Sequence, residues 1–355
     1  MIERLRRLRV LLPYLGYAIF YAVAFLLGCY LAFPYAKLKD RLIAEFAAQQ
    51  KGTLTTQKLE IDELEPYWFT GVRARGVRLT ISAPPKVLGD EEPPTVIELE
   101  EVRARLSLLP RLLGRNQVNF FARAFGGQLE GTFWDSSTAR HLDIEMSDLA
   151  VGRVEPLKAL LGLPMFGAMK GTVDLTFNDK RASKGEGSIN LAFTDLAVGD
   201  GNAKIKGSLA LPKIQVGELA LETTVKDGIV TISKFGAQGK DVDFAADGTV
   251  RLKDQPTESV SDIYLRFKVS DGYRNRNDVT RSIFGAPGGS VPALIELADP
   301  KVKQSKRPDG FYGWHMIGMI SSARFEPFAG TPPPNRLTPA ATPTTSATGV
   351  RGFTK

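Results

Sequence analysis

The chain has 355 residues, of which 43% are hydrophobic and 24% charged, enough to bury a core of one large or two modest domains and too much for global disorder. Its net charge is +7, yet the first nine residues alone hold Arg4, Arg6, Arg7 and Arg9 against Glu3, so the remainder is only mildly basic and gives no nucleic-acid footprint. The single cysteine, Cys29, excludes an intramolecular disulfide.

Residues 10–36 contain no charge. A helix of about 27 residues at about 1.5 Å each exceeds the ~30 Å hydrocarbon core of a bilayer. Tyr14, Tyr17 and Tyr35 lie near its ends, where amphipathic rings settle at the membrane interface, and Arg4, Arg6, Arg7 and Arg9 predict a cytoplasmic N-terminus. The alternative is a cleaved signal peptide, whose apolar region is shorter and ends in small residues, unlike Phe33-Pro34-Tyr35. The expected layout is a basic tail over 1–9, a transmembrane helix over 10–36 and everything after it across the membrane.

Residues 37–51 read as an amphipathic stalk helix, with Leu38, Leu42 and Phe46 at helical spacing and Gly52 as its stop. Residues 52–329 form the β-rich domain. Val77, Leu79 and Ile81 alternate with Arg78 and Thr80, and Val102, Ala104, Leu106 and Leu108 alternate with Arg103, Arg105 and Ser107. The pattern returns at Val173/Leu175/Phe177, Ile189/Leu191/Phe193, Leu219/Leu221/Val225 and Ile263/Leu265/Phe267/Val269. A period of two with one apolar side predicts antiparallel strands covered on one face only. Gly76, where Arg73 and Arg75 fall out of step with Arg78, predicts a bulge. Gly126-Gly127, Asp227-Gly228 and Asp247-Gly248 predict turns of a meander.

Asp148-Leu-Ala-Val-Gly152 recurs as Asp195-Leu-Ala-Val-Gly199, which is either true internal repetition or chance reuse of turn-strand wording. Short helices are expected over 154–161, 276–284 and 291–297. The proline-rich, acidic stretch 83–94 reads as an exposed insertion, and the Pro/Thr/Ala/Ser composition of 330–355 as a disordered tail.

No chemistry-bearing pattern emerges. His141 and His315 have no neighbouring ligands at zinc spacing, Cys29 lies in the apolar run, and no Gly-x-Ser-x-Gly elbow occurs. Lys170-Gly171-Thr172 has the wrong order for a phosphate loop, and Asp241/Asp243 reads as a solvated strand face. No cofactor and no catalytic or metal site is expected. Arg73, Arg75, Arg78, Arg103 and Arg105 form a candidate contact for anionic headgroups or an acidic partner, against the plainer reading of a solvated sheet face. Tyr67-Trp68-Phe69 reads as core packing at the start of the sheet, with an interfacial anchor as the alternative.

The layout resembles the type II secretion system protein N (general secretion pathway protein N) family. The likeness lies in the basic tail and anchor over 4–36, the stretch 59–81 around Tyr67-Trp68-Phe69-Thr70-Gly71-Val72, the glycine-punctuated segments 122–131 and 149–177, and the segment 282–327 closing on Phe325-Glu-Pro327. It covers residues 2–327. The resemblance implies a bitopic inner-membrane protein with a periplasmic domain, an accessory to secretion that works through envelope proteins of the secretion machinery. The texture is also similar to AsmA-like proteins, implying an elongated, curved antiparallel sheet with a few short helices whose apolar side handles lipids. The long Pro/Thr tail departs from the family, and no catalytic residue carries over.

Overall fold

The computed structural model describes residues 16–330 apart from 19, 22, 26, 29, 31, 50–55, 83–93, 113, 155–163, 202–203, 206–208, 211, 256–257 and 290–292. The expected insertion over 83–94, most of the expected helix over 154–161, Tyr14 and the tail after Gly330 therefore lie outside the described residues. The fold is mainly β, as the alternation predicts, with a fourteen-stranded sheet in which strands neighbour each other in chain order and every registered pair is antiparallel. The chain divides into two compact units, 1–137 with 142–160, and 138–141 with 161–355.

In the first unit, the described residues between Gly16 and Ala32 are helical, and Tyr17, Phe20, Tyr21 and Phe25 are exposed. Residues 1–15 lie outside the description, and among the described residues no helix is long and apolar enough to cross a membrane. The amphipathic helix expected from 37 is α1 (Tyr35–Gln49). It packs on β1 (Thr56–Tyr67), where Lys39 donates to the Asp62 carbonyl at 3.3 Å. The strands continue with β2 (Gly71–Ser82), β3 (Thr95–Ser107), the single-turn α2 (Leu108–Leu112), β4 (Asn116–Ala124), β5 (Gly127–Asp135) and β6 (Ala139–Ala150). Leu108, read from sequence as the last residue of a strand, instead opens α2.

Gly76 takes φ +61, and the buried positions of β2 fall at Ala74 and Val77, three apart. The alternation slips there as expected, but the pairing of β2 with β1 keeps one register through it, so both strands share the irregularity and no one-sided bulge forms. Phe125 and Gly126 both have positive φ and close the β4–β5 hairpin with the primed twist that suits antiparallel strands.

The second unit holds β7 (Met165–Asn178), β8 (Gly185–Val198), the two-residue pair β9 (Lys204–Ile205) and β10 (Leu209–Ala210), β11 (Ile214–Lys226), β12 (Ile229–Gln238), β13 (Val242–Arg251) and β14 (Val260–Val269). Asp227 and Gly228, both at positive φ, make the expected β11–β12 turn. Asp247-Gly248 does not turn: it lies inside β13. There Gly248 takes φ +145, and a Cβ would come within 2.2 Å of the Asp262 carbonyl, so glycine serves close strand contact instead.

A helical insert follows: α3 (Asp271–Arg274), α4 (Asp278–Phe284), α5 (Leu294–Ala298) and α6 (Pro300–Gln304). Asn277 and Thr280 form a reciprocal capping box at the start of α4, and Asp299 caps α6 ahead of Pro300. Helices α4 and α5 answer the expected segments 276–284 and 291–297. The sheet ends with β15 (Tyr312–Met319) and β16 (Arg324–Pro327).

The two Asp-Leu-Ala-Val-Gly segments open alike and then diverge, Val151–Arg153 forming a 3-10 turn where Val198 stays in β8. Asp148 and Asp195 sit at φ +54 and +51, and each is followed by a buried leucine, Leu149 and Leu196. Each faces a glycine, Gly127 and Gly167 respectively, where a Cβ would come within 3.0 Å of the partner backbone. The repetition is thus a repeated local structure at the Asp-Leu step only.

Candidate functional site

Cross-strand partners share a face, so register assigns each side chain to one side of the sheet. In the second unit one side reads Met169 and Val173 on β7, Ile189, Leu191 and Phe193 on β8, Leu219, Leu221 and Val225 on β11, and Val230 and Phe235 on β12. It continues through Phe244 and Ala246 on β13, Ile263, Leu265 and Phe267 on β14, and Trp314 and Met316 on β15. The sequence alternations named Ile189/Leu191/Phe193 and Ile263/Leu265/Phe267 correctly.

The register joins these residues into one apolar surface. Most of its side chains, Val173, Leu191, Leu221 and Leu265 among them, stay partly exposed. Two polar residues on it are buried, Ser261, whose hydroxyl donates to the Gly318 carbonyl at 2.9 Å, and Thr223. The Thr223 hydroxyl donates to the Ile189 carbonyl at 3.0 Å and accepts from the Ile189 amide at 3.1 Å, so it asks nothing of a ligand.

The insert closes one end of this face. Val269, Tyr273, Ile283 and Phe284 form a buried cluster against which Ile214, Phe267 and Ile295 pack. Three polar clamps hold it. The Tyr273 hydroxyl donates to the Pro212 carbonyl at 2.6 Å. Arg276 donates to the buried Asp241 carboxylate and to the Lys213 carbonyl. Glu296 accepts from Lys306 and from the Tyr312 hydroxyl, both at 2.7 Å. Burial alone would raise the Glu296 pKa, but those two hydrogen bonds outweigh it and hold the carboxyl below its ordinary value. Burial pushes the Tyr273 phenol up to about 12, and raises that of Tyr312 as well. Asp241, read from sequence as part of a solvated strand face, is a buried anchor for the insert.

The opposite side of the sheet is polar. Glu222 and Lys234 pair across β11 and β12 at 3.2 Å. His315 bonds Asp262 at 2.8 Å and stacks on Tyr264 with ring centroids 4.2 Å apart. His141 bonds the Thr176 hydroxyl at 2.9 Å. Among the described residues no group of three metal-ligating side chains occurs.

In the first unit the five arginines do not form an unopposed basic stripe. Arg73 and Arg103 lie directly opposite each other and share Glu101, at 3.0 and 2.7 Å. The shared carboxylate offsets one of the two positive charges and bridges the pair, and the hydrogen bond from Arg103 holds the Glu101 carboxyl below its ordinary value. Arg78 pairs with Asp62 at 2.9 Å, and Arg75 lies 3.6 Å from Glu65. Three of the five are also set over aromatic rings: Arg73 over Tyr67, Arg103 over Tyr67 and Phe121, and Arg105 over Trp68, its guanidinium 5.3 Å from the centre of the indole.

Trp68 and Phe69 are not core residues. They are 60% and 75% exposed at the tip of the β1–β2 turn, with Trp68 at φ +53. Phe69 touches Tyr30 of the N-terminal helical stretch at 5.6 Å between ring centroids. Of the tyrosines expected at an interface, Tyr17 is exposed and Tyr35 opens α1. Core packing, the first reading of this triplet, is thus wrong for Trp68 and Phe69, because an aromatic triplet at a turn reads the same in sequence whether it faces in or out.

The outer strands of the sheet are β1 and β16. β1 carries Glu60, Asp62, Glu63, Glu65 and Pro66, and β16 has only four residues, so both are poor templates for strand addition. No family model, no curated protein and no solved structure matches this chain.

Proposed function

We propose that the chain is an accessory component of type II protein secretion. It is held in the inner membrane by residues 10–36, with the β-rich domain in the periplasm, and acts by binding rather than by catalysis. The assignment to secretion rests on the resemblance set out from the sequence. The observation that carries a binding role is the apolar face of β7–β15, whose leucines, isoleucines and aromatics remain partly exposed in a single-layer sheet. Soluble monomers rarely leave so continuous an apolar surface without something to cover it. The charged and short outer strands direct a partner to the face, not to an edge.

A second reading follows from the chemistry of that face. It is aliphatic and aromatic, and the buried hydroxyls of Thr223 and Ser261 are satisfied within the sheet. An aliphatic and aromatic surface suits acyl chains, which need no hydrogen bonds, and supports a lipid-binding or lipid-transfer role like that of AsmA-like proteins.

Deletion of the gene separates the two. Folded exoproteins held in the periplasm behind an intact outer membrane support the secretion role. Normal secretion with an outer membrane leaky to a large antibiotic overturns it in favour of lipid handling.

A further inference from the structure

The tip of the first unit joins the β1–β2 turn to the β3–α2 junction. The Thr70 hydroxyl donates to the Leu106 carbonyl at 2.7 Å, and the Leu106 amide donates back to the Thr70 carbonyl at 3.1 Å. This clamp sets Trp68 and Phe69 beside Leu108 and Leu109, which are 56% and 77% exposed. Four large apolar side chains thus project from one end of the unit.

The charge around them has one sign. Residues 66–73 and 105–115 contain Arg73, Arg105, Arg111 and Arg115 and no acidic residue. Arg73 shares Glu101 with Arg103, while Arg105 lies over Trp68, Arg111 is exposed on α2, and Arg115 lies over Trp134. An indole with a guanidinium over it suits a bilayer interface, ring among the carbonyls and cation near the phosphates.

The position of the tip agrees with this. A cavity of about 700 Å³ is walled by Tyr30 and Phe33 on one side and by Phe69, Val72 and Leu108 on the other. Phe69 therefore sits at the level where the apolar N-terminal stretch ends.

We propose that Trp68, Phe69, Leu108 and Leu109, with Arg105 and Arg111, form a second membrane contact that seats the first unit on an anionic lipid bilayer. The inference rests on the membrane-anchored reading above. The anchor alone would leave the unit free to swing on its stalk. The seated tip fixes it against the leaflet it emerges from.

The test uses the full chain reconstituted in vesicles of phosphatidylcholine, or of phosphatidylcholine and phosphatidylglycerol in equal parts, with brominated acyl chains. Trp134→Phe and Trp314→Phe leave Trp68 as the sole indole. In chains that float with the vesicles, Trp68 is expected to lose most of its emission, more so with phosphatidylglycerol, and salt should narrow that difference. Leu108→Glu with Leu109→Glu should restore the emission, and Arg111→Gln should remove the phosphatidylglycerol preference. Unquenched Trp68 in a chain that floats overturns the seating while leaving the anchor intact. A chain that does not float overturns both. Should the double tryptophan variant fail to fold, the difference in quenching between the unmodified chain and Trp68→Phe gives the same reading.

Discussion

The Arg276 guanidinium meets the carboxylate of Asp241, a side chain only 1% exposed, and this pair ties the helical insert to the start of β13. Asp241 also accepts from the Gln215 amide at 2.8 Å, so one carboxylate joins β11, β13 and the insert. The two partners are not equivalent. Removing Arg276 leaves a buried charge uncompensated, whereas removing the Asp241 charge leaves an arginine that can turn to solvent.

Arg276→Ala should therefore cost about 3–5 kcal/mol, and Asp241→Asn less, roughly 1–3 kcal/mol. Chemical denaturation of both variants checks the order. Equal costs would mean that the arginine contributes no more than its hydrogen bonds.

The insert should also respond to alkali. Burial raises the Tyr273 phenol to about 12, above an ordinary value near 10, so the protonated form is favoured in the folded state. That stability is present below pH 10 and is lost as pH rises towards 12. Tyrosinate absorbance should show a cooperative step in that window, accompanied by loss of near-ultraviolet dichroism. Tyrosines that all titrate near 10 with the dichroism intact would contradict the packing of the insert.

Acid acts through Glu296. Its carboxyl is held below the ordinary value, so its contribution is present above the usual glutamate range and is lost as pH falls through the folded pKa. Glu296→Gln should cost roughly 1–3 kcal/mol at neutral pH and lose that penalty in acid. A penalty independent of pH would mean that shape alone matters at this position.

How much of this was legible in sequence depends on the range of the interaction. Strand faces such as Ile189/Leu191/Phe193 follow from local alternation, and the α4 cap follows from Asn277 and Thr280 three residues apart. The Asp241–Arg276 clamp spans 35 residues and has no local signature. Asp247-Gly248 misled because the same dipeptide serves a turn at Asp227-Gly228, and only the proximity of β14 distinguishes the two. The five arginines looked like a stripe because their acidic partners Asp62 and Glu65 lie on β1, while Glu101 comes from β3. Within the expected span over 10–36, the described residues from Gly16 to Ala32 are helical.

Glycine positions offer a sharper check on the strand packing. At Gly248, φ +145 alone makes a side chain cost about 1–3 kcal/mol, and the overlap with Asp262 adds to it. Gly272→Ala, in α3 with nothing nearer than 3.9 Å, should be neutral or stabilising by up to about 1 kcal/mol. Thermal unfolding of the two variants should shift in opposite directions. A harmless Gly248→Ala would mean that β13 and β14 are not paired at this register.

The most direct measurement concerns what covers the apolar face. A photoreactive phenylalanine analogue placed at Leu221 or Leu191, and for comparison at Glu222 or Lys234 on the polar side, is irradiated in living cells. Adducts with lipid or with a secretion-machinery protein are expected from the first pair and not from the second. No adduct at Leu221 and Leu191, or equal yield from both sides of the sheet, would contradict the binding role.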